Sequence, residues 1–538
     1  MSLASPLDSK ESEVMAQSIV AVAKSASTIY FANVVMFVAA TLYFLILTNV
    51  IGSTFDVGVV TSLNLMIWLL AAICMLAQPV TSQSPIPAPP AVLRFAPELI
   101  AQGAYSAARR ALRTSLLTSS LIAFTTGGIL IVSPGIAIPF LGGSSVSSVF
   151  VQLSAVDVIV LSLGQICLAS LMSAGDMRTT GRYIVLWSVL RYGLASALLF
   201  IYAIGGVLVG WIVGDGFLLV IALRRAFVEL RSDGVSEEFS FPAFFRYSVY
   251  TVLSALIGYV INQADKLFTL AEQGLSQLAI YNVAMVAASF VGLAPYVLTM
   301  VLLPTLSALH PGPQSREMGQ IVRQYGRYVS LIVVPLALGF AGVTGVALRI
   351  FGSAYVNGFT SAAIVSAVSG LTAIGSVYAA VLLAVGKLRW YMMANVAGVG
   401  ALAVVAYYTT PFLGLSGPAL GRASLMAVVA LVYSYAVRRS GLFQLDIRAF
   451  ISATVSSISM SAVVFLILSF FSSLMAQLLM LPVVVLVGAA LYIAELRALK
   501  VLTAQDFEFI QLIAPARFHG LIALVARVAG VRPSNSLA

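Results

Sequence analysis

The chain has 538 residues, 60% of them hydrophobic, with 29 Lys and Arg against 19 Asp and Glu and a net charge of +10. Charged residues amount to 9%, against roughly 25% in a soluble domain, which excludes a water-covered globule, a secreted disulfide scaffold and a disordered chain. Cys74 and Cys167 lie in apolar runs, and His310 and His519 are far apart in sequence. Neither pair founds a metal centre, a bound cofactor or histidine-dependent catalysis.

Residues 1–24 read as a polar N-terminal segment, because Asp8, Lys10, Glu11 and Glu13 precede an apolar run too long for a cleavable signal. Apolar windows then predict membrane-spanning helices near 25–49, 57–80, 114–133, 147–172, 182–203 and 206–224. A linker at 230–246 follows, and further spans are expected near 247–271, 277–303, 327–349, 356–385, 389–409, 415–437, 449–472 and 475–496. Each suits a hydrocarbon layer of about 30 Å. The tail, 497–538, reads as amphipathic and interfacial, with Arg517 and Arg527 set among Phe507, Phe509, Ile510 and Leu512. The expected fold class is therefore all-α and polytopic: an N-lobe at 25–229, a C-lobe at 247–440, a terminal helix pair at 441–496, and fourteen spans in all.

With the N-terminus in the cytoplasm, every Lys and Arg except Lys24, Arg191, Lys266, Arg349 and Arg422 falls on the cytoplasmic side. The opposite loops contain none, so charge bias orients the chain in a cytoplasmic membrane with both termini inside. The net charge follows from this topology and from attraction to anionic lipid, and nucleic-acid binding need not be invoked.

The basic loops recur. Arg109 and Arg113 reappear as Arg323 and Arg327, and Arg224 and Arg225 as Arg438 and Arg439, each 214 residues later. Gly175-Asp-Met-Arg178 reappears as Gly386-Lys-Leu-Arg389 after 211, and Pro79-Val-Thr-Ser82 as Pro304-Thr-Leu-Ser307 after 225. Six spans per copy give both copies one orientation, as expected of two parallel lobes related by an axis along the membrane normal. Two such lobes rocking about a central cavity are the geometry of alternating access.

Ionisable groups at membrane depth mark cavities or ion pairs. Asp157, Arg191 and Asp215 each lie nine or ten residues from a span end, about 14 Å deep at 1.5 Å per residue. They form either a cavity wall, with Arg191 attracting an anionic headgroup and Asp157 or Asp215 exchanging a proton or sodium ion, or a buried clamp. In span seven, Asn262 shares a face with Asp265 and Lys266, while those two neighbours diverge by about 100° and need separate partners or water. Lys24 and Arg422 are further cavity candidates nearer the interfaces, where snorkelling offers a plainer account.

The block from Phe245-Arg-Tyr-Ser to Asn262-Gln-Ala-Asp265-Lys266, then Gln277-Leu-Ala-Ile-Tyr281-Asn282-Val-Ala284 and Leu303-Pro304-Thr-Leu-Ser307, resembles spans seven and eight of polysaccharide transporters. These belong to the multidrug/oligosaccharidyl-lipid/polysaccharide exporter superfamily. Ala279 stands where that family usually has glycine. The resemblance implies a monomeric flippase for a glycan linked to polyprenyl phosphate or pyrophosphate, with cavity cations for the phosphate and a sodium ion or proton as candidate coupling ion. It implies no catalytic residues. The rivals are a MATE-like drug or cation antiporter and, from another class, a polytopic membrane glycosyltransferase. Acids in the loops opposite the basic side are limited to Asp56 and Glu272, which gives the enzyme little to work with.

Overall fold

The computed structural model describes residues 6–79, 81, 90–143, 145–229, 240–309, 315–442, 444–503, 506–507 and 520. Among them the secondary structure is helical throughout, with no strand. Two compact units divide the chain, Met1–Asn282 and Val283–Ala538.

The first unit contains α1 (Pro6–Ile51), α2 (Thr54–Cys74), the short α3 (Ala91–Ala101), α4 (Tyr105–Val132), α5 (Ser148–Ser173), α6 (Met177–Glu229) and the beginning of α7 (Phe241–Leu309). Ser53 starts α2 by accepting the backbone N–H of Asp56 at 3.3 Å. Two 3₁₀ turns, Pro134–Ile136 and Ile138–Leu141, join α4 to α5 and end at Gly142, whose φ of 104° favours glycine.

The apolar stretch of α6 covers 52 residues, about 78 Å at 1.5 Å per residue, more than twice the hydrocarbon thickness. It crosses twice because the backbone breaks at Ala203, where φ is 50° and ψ −131°. The two arms then lie side by side. A Cβ at Gly206 would meet the Leu198 backbone, one at Gly210 the Ala195 backbone, and one at Gly214 the Arg191 backbone. The 51-residue apolar stretch of α7 breaks in the same manner at Gly274, with φ 81°. Its first arm packs on α2, where the Tyr259 hydroxyl donates to the Leu65 carbonyl at 2.7 Å and that of Thr251 to Leu76 at 3.0 Å. These bonds explain why the compact unit ends after Asn282, whereas the polar 230–246 linker suggests a boundary before span seven.

In the second unit, α8 (Ser315–Phe351), α9 (Phe359–Thr372), α10 (Ile374–Ala384), α11 (Leu388–Leu413) and α12 (Ser416–Arg439) follow the rest of α7. The terminal pair, α13 (Ile447–Ser469) and α14 (Leu474–Ala498), packs on α8 through Val346, Met460, Val464, Val484 and Leu496. Twelve helical stretches are long and apolar enough to cross a membrane among the described residues. The fold-backs in α6 and α7 add two crossings and give the fourteen expected. The protein is a multi-pass membrane protein.

The duplication is visible in the backbone. Ala203 and Gly414 lie 211 residues apart and share one unusual conformation, φ/ψ of 50°/−131° and 53°/−128°. Gly206 and Gly210 recur as Gly417 and Gly421, and Gly421 approaches Ala406, the counterpart of Ala195. Gly175 and Gly386, each with positive φ, hold the same offset.

Twelve residues into α8, Arg327 donates to Asp446 at 2.7 Å, to Asp506 at 2.8 and 2.9 Å, and to the Val501 carbonyl. Arg349, near the other end of α8, donates to Gln477 of α14 at 3.0 Å. The short α3 carries an exposed Arg94–Glu98 pair at 2.9 Å. Most of the C-terminal tail assigned an interfacial role lies outside the described residues.

Candidate functional site

The two arms of α6 bring Asp215 against Arg191, and α5 supplies Asp157. Arg191 pairs with Asp157 at 3.3 Å and with Asp215 more closely, and the three side chains are 1%, 0% and 0% exposed. Trp187 donates its indole N–H to the second Asp215 oxygen at 2.5 Å. The guanidinium also lies 5.1 Å from the Trp211 ring centroid and 5.9 Å from that of Trp187. Tyr43 of α1 stacks in turn on Trp211 and Tyr192. Local sequence explains the construction: Trp187 precedes Arg191 by four residues and Trp211 precedes Asp215 by four, so each ring shares a helix face with its charge. Gly214 lets the second arm approach the Arg191 backbone.

Of the two arrangements open from sequence, a cavity wall and a buried clamp, the packing is that of the clamp. Arg191 is enclosed by two carboxylates and two indoles, so its expected place against a headgroup is corrected: both guanidinium edges are engaged, and water does not reach them. The cluster carries one cation against two carboxylates. Asp157 Oδ1, Ser154 Oγ, Trp211 Nε1 and Tyr43 Oη are buried there without a hydrogen-bond partner. A proton or small cation accepted at that spot would neutralise the excess charge, as a low-dielectric interior requires.

The remaining predicted residues lie on other elements. In α7, Asp265 is buried and accepts the Tyr281 hydroxyl at 2.9 Å, while Asn262 and Lys266 are partly buried. Arg422 is a partly buried residue of α12 in the second unit. Lys24 lies in α1, and its side chain is outside the described residues. Among the described residues, no group of three or more His, Cys, Asp or Glu could hold a metal ion. Sequence reasoning missed Trp187, Trp211, Tyr43 and Ser154. The two Trp-charge pairs at helical spacing were the available signal.

Residues 105–359 match the family of polysaccharide biosynthesis proteins. No curated protein matches the chain in sequence. Among solved structures, the lipid II flippase MurJ in an inward closed conformation is similar with a TM-score of 0.66 at 12% identity, over 88% of this chain and 99% of that one. The MATE transporter VcmN of Vibrio cholerae reaches 0.56 at 14% identity, over 79% of this chain and 99% of its own. A MOP superfamily transporter from Pyrococcus furiosus reaches 0.55 at 14% identity, over 78% and 96%. At such identities the likeness establishes the fold. Over residues 105–359 the chain thus matches the polysaccharide biosynthesis protein family, and it shares the all-α fold of these solved transporter structures.

Proposed function

We propose that this protein is a flippase of the cytoplasmic membrane, with both termini inside, that carries a lipid-linked oligosaccharide or polysaccharide precursor across by alternating access. The match to polysaccharide biosynthesis proteins over 105–359 carries the reading, and the fold shared with a lipid II flippase supports it. Lys266, Arg422 and Lys24 are each proposed as cations for the phosphate or pyrophosphate, and Asn262 and Asp265 as partners for sugar hydroxyls. Arg191 acts one step removed, by positioning Asp157 and Asp215, which are proposed to exchange a proton or sodium ion. Transport here needs orientation and charge, and no covalent chemistry.

The test is translocation of a fluorescent polyprenyl-pyrophosphate glycan in proteoliposomes. Lys266→Ala is expected to abolish it and Lys266→Arg to retain it. A MATE-like antiporter is the second reading, favoured by the fold shared with VcmN. It predicts efflux of a small organic cation, with glycolipid left in place and indifference to Lys266→Ala. That combined outcome would overturn the flippase reading.

A further inference from the structure

α2, the far end of α4, the 134–142 turn and the first arm of α7 enclose a cavity of about 840 Å³. All of its walls belong to the first compact unit, and no Asp, Glu, Lys or Arg lines it. Its size falls within the roughly 300–1,000 Å³ of small-molecule sites. What fills it is decided by the walls. At about 30 Å³ each, roughly 28 waters would fit, and each would want two to four polar partners. The side chains offer three hydroxyls, and two of these already donate elsewhere, Ser62 to the Val59 carbonyl at 2.9 Å and Tyr259 to Leu65 at 2.7 Å. The rest of the wall has no polar side chain, and Met66, Leu69, Leu267 and Leu270 are part of it. Water is poorly held there, whereas a hydrocarbon gains about 25 cal/mol for each Å² it buries.

The mouth points to the source of that hydrocarbon. Phe140, on the rim, is 80% exposed, and the rim residues Ile129 and Ile136 are exposed as well. On another face of α4, Leu117, Leu121 and Phe124 form an exposed apolar stripe. Ile136 and Phe140 belong to the connection between spans three and four, and Ile129 to the end of span three, so the cavity opens at the end of the spans, where an apolar surface of this kind meets the edge of the bilayer.

We propose that this cavity holds a hydrocarbon chain drawn from the surrounding bilayer. Two sources share that chemistry, the acyl chain of a phospholipid and the isoprenoid tail of a polyprenyl phosphate. Binding by either is independent of the flippase reading, because it is measured without transport.

The full chain is placed in vesicles of phosphatidylethanolamine and phosphatidylglycerol containing one of two probes, a phospholipid with a diazirine on its acyl chain or a polyprenyl phosphate with a diazirine on its tail. After irradiation the label is mapped by peptide mass spectrometry. Labelling within 65–70 and 267–271 is expected, and its loss in both Met66→Trp and Leu267→Trp, which fill the cavity from opposite walls, with the label on 117–124 retained. If one variant does not fold, the other and the map of the unaltered chain still decide. Competition by unlabelled polyprenyl phosphate alone assigns the isoprenoid tail, and equal competition by phospholipid assigns the acyl chain. Label confined to 117–124, or cavity label that survives filling in a folded variant, overturns the proposal.

Discussion

The hairpin of α6 and the hairpin of α11 and α12 are built on one backbone plan and filled differently. Their turns share a conformation at Ala203 and Gly414, and their arms close on glycines at the same register. Yet the positions 211 residues after Asp157, Arg191 and Asp215 hold Val368, Leu402 and Met426, and Trp211 corresponds to Arg422. The second hairpin therefore shows that the scaffold closes without a charge cluster. Ions buried in the first are not required by the packing plan, and a buried ion pair is in any case weak evidence for stability. That asymmetry is the strongest structural reason for assigning the first hairpin a task beyond cohesion.

The comparison is broken most severely by removing the cation. Arg191→Leu leaves two carboxylates buried together and is expected to cost about 3–5 kcal/mol, read as a lowered unfolding midpoint in detergent. Converting the cluster to its counterpart, with Asp157→Val, Arg191→Leu and Asp215→Met together, is expected to restore folding to within about 1–4 kcal/mol of the native chain, on either side. If that triple variant folds and still translocates glycolipid at the native rate, the cluster has no part in coupling.

Next in size is the glycine register. Gly210→Val and Gly421→Val each push a side chain into the facing arm and are expected to cost about 1–3 kcal/mol. A large effect at one site and none at the other would refute their equivalence. The turn is a finer probe. Ala203 holds a φ of 50° that glycine adopts freely, and Gly414 is that glycine in the second copy. Ala203→Gly is expected to stabilise by about 1 kcal/mol, and Gly414→Ala to destabilise by a similar amount.

The smallest effect lies at the feet of the repeated spans, where Arg113 is exposed but its counterpart Arg327 is clamped. Partial burial alone would raise the Asp446 carboxyl. The Ala449 N–H, the Arg327 hydrogen bond and the charges of Arg327 and Arg323 together hold it below the usual carboxylate range. A carboxyl depressed in the folded state adds stability that is present above its unfolded value and lost as pH falls through the folded one. The unfolding midpoint of the native chain is therefore expected to fall on acidification below about pH 4, the ordinary range for aspartate. Asp446→Asn should flatten that part of the profile, while Arg113→Ala leaves it unchanged.

Much of the fold was legible because apolar length and basic loops are one-dimensional signals. All fourteen spans have helical counterparts, and even the offset of 211 was visible in the loops before the glycines displayed it. The site was half legible. Depth counting put Asp157, Arg191 and Asp215 at one level, and they do meet. Whether they face a vestibule or each other depends on how far apart two arms stand, and Gly206, Gly210 and Gly214 set that distance through contacts that periodicity does not encode. The lipid-facing cavity was illegible for the same reason: four segments from 62 to 274 build it, and no single one carries its signature.

The Arg327 clamp bears on how the protein comes into being. Its carboxylate partner Asp506 lies 179 residues downstream, an interval that takes roughly 9–36 s to synthesise at 5–20 residues per second. For the first 119 residues of that interval the guanidinium has neither carboxylate, and Asp446 precedes Asp506, so the full clamp on α8 is completed only after the terminal helix pair has been synthesised. Release of the nascent chain before Asp446 would leave Arg327 with neither carboxylate, and release between Asp446 and Asp506 would leave it with one, so the clamp separates complete copies from fragments in two steps.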